Sequence, residues 1–304
     1  MKTLWASVLS ILIGSFFVCD LSYGQGTAED VWVKGVGYGS EAKFKEAKDA
    51  FQTALKIDPF YNAAESGLRV VDDVIAKRLK PDAAIHLFKG VAFGSKGQNS
   101  KEIAEYKIAI DADQRFAEAY NARGLAYFAN GQHDFAIKDF NKAIDINSTF
   151  PEAYTNRGWV NYRQGKYDLA ISDFNKAIEL NPKYPTPYNN RGLAYSQGRE
   201  QHEKGIADFD KAIEINPGFT EAYNNRGFAY AQGKRLHDKA IRDFNKAIEI
   251  SPKYAAPYNN RAISYFFMRE YDKAWNDVSK AQALGWQVHP GFLDALRQAS
   301  GRQK

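Results

Sequence analysis

Asparagine, arginine and aspartate return in this chain at fixed intervals, and they are the residue types best able to do chemistry here. Asn156, Asn190, Asn225 and Asn260 each stand directly before an arginine, and Asn121, Asn189, Asn224 and Asn259 stand two residues before one. A carboxamide carries two N–H donors and a carbonyl acceptor, so it can meet a peptide unit of either polarity. The arginines are Arg123, Arg157, Arg191, Arg226 and Arg261, and each is followed 16 or 17 residues later by Asp139, Asp173, Asp208, Asp243 or Asp277. One matched pair per interval suits fork-to-carboxylate bonding, and predicts a ladder of ion pairs between neighbouring helices. Aromatic residues interleave with these groups: Phe128, Trp159, Tyr162 and Phe228, with Phe266 and Phe267 further on. Such rings make good anchors for the side chains of a partner.

Other chemistries find no support. His133, His202 and His237 fall at equivalent points of different repeats, two intervals apart and then one. Packed helices lie roughly 8–10 Å apart, so these histidines cannot share one ion with bonds near ~2 Å. Nucleophile elbows, phosphate loops and HExxH are missing; no catalytic residue, metal or cofactor is expected, and the chain reads as non-enzymatic. The net charge is +5, but basic and acidic residues alternate along most of the chain. That is a mixed, solvated surface and not the basic stripe that nucleic acid requires.

The start of the chain differs from the rest. Lys2 precedes an uncharged run from Leu4 to Cys19, and Ser22-Tyr23-Gly24 sets small residues before Gln25. This is the layout of a secretory signal peptide over 1–24, and the run is short of the ~20 apolar residues that span a bilayer. The expectation is an exported protein, periplasmic or extracellular, with an uncleaved membrane anchor as the alternative. Phe17-Val18 is too bulky for Cys19 to suit a lipoprotein site. Cys19 is the single cysteine, so a cleaved chain holds neither disulfide nor reactive thiol.

The elements that position these residues repeat as well. Tyr120-Asn-Ala-Arg-Gly124 returns as Tyr154-Thr-Asn-Arg-Gly158, Tyr188-Asn-Asn-Arg-Gly192, Tyr223-Asn-Asn-Arg-Gly227 and Tyr258-Asn-Asn-Arg-Ala262, a period of 34 or 35 residues. Within a unit, Tyr120, Gly124 and Tyr127 share one face of a first helix, and Ala136, Phe140 and Ala143 share one face of a second. Gly131 lies between them, where a turn needs freedom in φ. Periods in this range belong to solenoids, whose units bury their apolar faces only against neighbours. Residues 62–82 break the phase, and Ala64, Leu68, Val71, Ile75 and Leu79 predict a single amphipathic helix, a half-repeat or a hinge. One extra residue in each of 185–219 and 220–254 predicts longer turns with undisturbed stacking.

In its phasing of small, aromatic and proline positions, the pattern resembles the tetratricopeptide repeat family. The eighth residue of each unit is Gly35, Gly90, Gly124, Gly158, Gly192, Gly227 or Ala262. The second-helix aromatic is Phe51, Tyr106, Phe140, Phe174, Phe209 or Phe244, with Val278 last. Units fall at 28–61, 83–116, 117–150, 151–184, 185–219, 220–254 and 255–288, with 289–304 as cap and tail. The resemblance implies an all-α fold, an α-α superhelix of about seven helix-turn-helix repeats closed by a C-terminal capping helix. It implies that first helices line a groove holding a protein or peptide partner, so Asn121, Phe128, Asn156, Trp159, Tyr162, Asn189, Asn190, Asn224, Asn225, Phe228, Asn259 and Asn260 are its candidate contacts. The Tyr-Asn-Asn-Arg-Gly run is similar to the asparagine ladder in the repeat domain of the O-linked N-acetylglucosamine transferases. The lysines by which chaperone-adaptor repeats clamp a terminal carboxylate are missing, and Glu118, Glu152 and Glu221 stand in that region. A scaffold in an envelope complex is the leading reading. A carbohydrate-binding array and weak self-association through terminal repeats stand beside it. For the asparagines, bonding between adjacent helices is the competing role.

Overall fold

The computed structural model describes residues 27–302; the expected signal segment, 1–24, lies outside the described residues. The described residues form sixteen α-helices and one π-helical turn, without a strand. The first hairpin pairs α1 (Ala28–Ser40) with α2 (Phe44–Ile57), and α3 (Asn62–Ile75) follows alone. Three hairpins come next: α4 (Pro81–Gly94) with α5 (Asn99–Ala112), α6 (Ala117–Ala129) with α7 (His133–Ile146), and α8 (Pro151–Arg163) with α9 (Tyr167–Leu180). The later ones are α10 (Pro185–Leu193) with α11 (His202–Ile215), α12 (Thr220–Lys234) with α13 (His237–Ile250), and α14 (Ala255–Phe267) with α15 (Tyr271–Ala283). A final helix, α16 (Pro290–Ser300), closes the series. The chain divides into two compact units, one ending at Asn181 and one beginning at Pro182.

Local chemistry sets the helix ends. Pro81, Pro151, Pro185 and Pro290 occupy first turns, where a missing N–H costs nothing and the fixed φ already suits a helix. Thr27 caps α1 in a reciprocal box with Asp30, satisfying two orphan donors. Gly131 takes φ 74° between α6 and α7, a left-handed value that suits glycine.

Every hairpin but the last, which has Val278 in that place, closes around one aromatic ring. A Cβ added at Gly124 would lie 2.7 Å from the Phe140 ring, so the first helix must present bare backbone there. Phe51, Phe140, Phe174, Phe209 and Phe244 are fully buried, and removing one such ring costs about 3–5 kcal/mol.

Helix α3 stops at Ile75, short of the expected Leu79. Lys77 turns into the left-handed region at φ 58°, and the N–H groups of Arg78 and Leu79 fold back to the Asp73 carbonyl. Leu79 is buried from beyond the helix, while Ile75 is exposed. The helix packs along α2, with Gly67 against Phe51, whereas α4 packs on α1 through Phe88 against Gly39. Two helices therefore cover the first hairpin, and Phe51 stacks on Phe88 with ring centroids 5.8 Å apart.

The extra residues at 185–219 and 220–254 do not simply lengthen turns. The first is absorbed inside the helix path as the π-helical turn Ala194–Gly198. The second extends α12 to Lys234, and the Arg235 N–H closes onto the Tyr230 carbonyl five residues back. An inserted residue that keeps backbone bonds satisfied inside a wider turn is a π-bulge. Room for the first comes from Gly205, where five other second helices carry alanine: a Cβ there would lie 2.7 Å from the Ser196 Cβ.

Candidate functional site

The arginine–aspartate pairs lie within hairpins and tie the first helix to the second. Arg123 donates from Nε and Nη2 to the two oxygens of Asp139 at 2.7 and 2.8 Å. Arg191, Arg226 and Arg261 make the same fork to Asp208, Asp243 and Asp277 at 2.6–2.8 Å, and Arg157 reaches Asp173 at 2.6 Å. All five aspartates are buried. Each guanidinium also covers the tyrosine three residues earlier, 5.5–5.7 Å from its ring centre. Some arginines reach the preceding hairpin too: Arg157 Nη1 to Asn141 at 2.7 Å, Arg226 Nη1 to Asp210 at 2.6 Å and Arg261 Nη1 to Asn245 at 2.5 Å. Burial opposes the charge on Arg226, yet the bonds to Asp243 and Asp210 outweigh it and raise its pKa further. Burial raises the Asp243 carboxyl, with Arg226 pulling the other way. These pairs hold the first helix of each of the five hairpins to its second.

The asparagines also bond to one another across hairpins. In the unit ending at Asn181, Asn156 Nδ2 donates to Asn121 Oδ1 at 2.9 Å. In the other unit, Asn225 donates to Asn189 and Asn260 to Asn224, each at 2.9 Å. Longer contacts within each pair, 3.2–3.5 Å, complete a head-to-tail run from Asn259 through Asn260, Asn224, Asn225 and Asn189 to Asn190. Asn189, Asn190, Asn224, Asn259 and Asn260 are buried, whereas Asn121, Asn156 and Asn225 are half-buried. The competing role weighed from the sequence, bonding between adjacent helices, is thus realised in these residues. It uses one donor and one acceptor of Asn189 and of Asn224, half of what a carboxamide has.

The aromatic candidates separate by burial. Trp159 and Tyr162 stack at 5.1 Å with planes 22° apart, and Arg163 lies 6.0 Å over the Phe128 ring. Trp159 and Phe128 are half-buried, but Tyr162 at 8% and Phe228 at 5% exposure are buried and act in packing. Phe266 meets Phe292 edge-on, and Phe267 stacks on His237. His133, His202 and His237 each begin a second helix with Nδ1 buried and without a hydrogen-bond partner. Among the described residues no group of three or more His, Cys, Asp or Glu could hold a metal ion, and no helix is long and apolar enough to cross a membrane.

One set of contacts has no counterpart in the repeat pattern. Arg69, in α3, donates from Nη2 to Glu152 Oε1 at 2.6 Å and lies 5.7 Å over the Phe150 ring. Glu118 faces the same guanidinium, and its carboxyl is held above the usual range, first by burial. No local signal marks this contact, because 83 residues separate its partners.

Helical hairpins, six of them closed by a glycine-to-aromatic contact and five by an internal arginine–aspartate fork, define an all-α helical-repeat protein. The chain belongs to the tetratricopeptide repeat family: models of that repeat match 151–184, 185–219 and 220–254, and a further TPR repeat model matches 124–165. Among solved structures, a tetratricopeptide repeat protein from Parabacteroides merdae is 19% identical, covering 91% of this chain and 100% of its own, with TM-score 0.58. The APC/C hetero-tetramer Cut9–Hcn1 matches at 18% identity over 88% of this chain and 54% of its own, with TM-score 0.67. Both show the fold alone. MamA is 34% identical over 55% of this chain and 96% of its own, with TM-score 0.47. No curated protein sequence matches the chain.

Proposed function

We propose that the chain is a non-enzymatic scaffold whose first helices bind an extended peptide segment or the face of a partner helix. Its setting is an envelope complex outside the cytoplasm, a reading that rests on the signal-like pattern of residues 1–24. The observation that carries the binding role is the regular return of carboxamides along the first helices. In the unit that begins at Pro182 the buried members orient the run and the half-buried Asn225 offers a contact; in the other unit the half-buried Asn121 and Asn156 do so. Extended chain rises ~3.3 Å per residue and packed helices lie roughly 8–10 Å apart, so one asparagine per hairpin serves about every third peptide unit. Phe128 and Trp159 supply apolar contact beside Asn121 and Asn156.

Photoreactive residues at 128 and 159, tested in the native compartment, probe this reading. The expected result is adducts to a small set of proteins, absent when the same group stands at Phe135, an exposed second-helix position. Equal labelling from all three positions, or adducts to glycan alone, would overturn it.

A further inference from the structure

Arg69 is held differently from every ladder arginine. The ladder guanidiniums take both oxygens of their aspartates, as Arg123 does with Asp139. Arg69 gives Glu152 one bond at 2.6 Å and shares the same Nη2 with Ser66 Oγ of its own helix at 3.0 Å. Its Nη1 leans back to Glu65 at 3.6 Å. The other oxygen of Glu152, Oε2, is buried and has no hydrogen-bond partner. A buried acceptor left without a donor costs about 1–3 kcal/mol. A guanidinium entering fork-first would satisfy both oxygens, and Arg69 is in no position to do so while α3 keeps its place. That place is fixed independently, because Val70 and Val71 are buried in the core shared with Phe51 and Phe88. The surroundings complete the seat: Phe150 offers a ring face and Glu118 a second carboxylate, both at the N-terminal ends of first helices.

We propose that Glu118, Glu152 and Phe150 form a seat for an arginine side chain of a partner protein, with Arg69 as a built-in occupant that this arginine displaces. That the displacing arginine belongs to a protein rests on the scaffold role above; the seat and its occupant do not. Arginine is favoured over lysine because two parallel donors match the half-used carboxylate, whereas an ammonium acts as a point charge. The contact is thereby self-inhibitory: the chain's own cation closes this part of the first-helix face until a better-aligned one arrives.

The test titrates N-acetyl-L-arginine amide into the full chain and follows binding by NMR. Arg69→Gln should bind the probe about tenfold or more tightly than the wild type, a change of ~1.4 kcal/mol or more. Adding Glu152→Gln should abolish the gain, and N-acetyl-L-lysine amide should show none. Equal binding by wild type and Arg69→Gln, or a gain that survives Glu152→Gln, overturns the proposal. Should Arg69→Gln fold poorly, the Arg69 side-chain N–H resonances of the wild-type chain decide: saturating probe should shift them, and unchanged resonances overturn the displacement. No partner enters this assay, so its failure leaves the crosslinking result standing, and the reverse also holds.

Discussion

At the scale of single residues, the arginine–aspartate fork acts as a lock whose two halves are unequal in consequence. Asp243 is 6% exposed and takes both of its strong bonds from Arg226. Arg226→Ala therefore strands a buried carboxylate and should destabilise the chain by about 3–5 kcal/mol, read as a lowered urea midpoint. Replacing both residues with leucine should recover most of that loss, since paired charges and well-packed apolar groups are often close in stability. Glu102 offers the opposite case. It occupies a second-helix site where Ala136 and Ala170 stand in other hairpins, and its carboxyl is raised by burial, with the Tyr106 hydroxyl pulling it down. A folded-state value above the unfolded one means that stability is fully present below the ordinary glutamate range. It is lost as pH rises through the folded value. Glu102→Gln keeps the shape and removes the charge. The variant should melt higher than wild type at pH 8 and match it near pH 4.

At the scale of the element, the wide turn at Ala194–Gly198 depends on a residue from the partner helix. Gly205 leaves space for Ser196, whose hydroxyl bonds the Gly192 carbonyl at 2.8 Å. An alanine Cβ at 205 would also meet that carbonyl oxygen at 2.8 Å, and backbone yields less readily than a side-chain tip. Gly205→Ala should cost about 1–3 kcal/mol, the usual range for overpacking, although alanine is what most equivalent positions carry. Restoring the regular length by deleting Gln197 in the same chain should remove most of that cost, measured by thermal melts. This turn also marks where sequence reading stops. Phe140, Phe174, Phe209 and Phe244 announce second helices because each ring demands a small residue opposite, and that demand has a fixed spacing. An inserted residue has no such spacing: a loop and a π-bulge lengthen the chain equally, and only the room left by Gly205 selects between them. The same limit applies at the candidate site. Asn189 and Asn225 are visible as a recurrent pair, but whether their amides face a ligand or one another depends on how closely hairpins pack. Arg69 and Glu152 belong to no repeat position in common, so nothing in their spacing joins them.

At the scale of the whole molecule, a repeat array spreads its stability over neighbouring contacts, and so damage stays near its source. The C-terminal end tests this within the unit that begins at Pro182. Phe292 and Leu296 of α16 are buried against the last hairpin, in a cluster with Tyr258, Val278 and Val288. Phe292 also meets Phe266 edge-on at 5.7 Å. This cover keeps the apolar face of α14 and α15 from water. Phe292→Ala should remove about 3–5 kcal/mol, but chiefly from the last hairpin. Native-state hydrogen exchange should therefore accelerate over α14 to α16 and remain at wild-type rates over α10 and α11. A globular core sharing one cooperative transition would instead raise exchange everywhere in the unit. Uniform acceleration would show that the asparagine run from Asn259 to Asn190 couples the hairpins more tightly than nearest-neighbour packing does. Local acceleration makes α16 a cap and leaves each hairpin its own unit of opening, so that a ligand lying along several first helices would stabilise each one it touches.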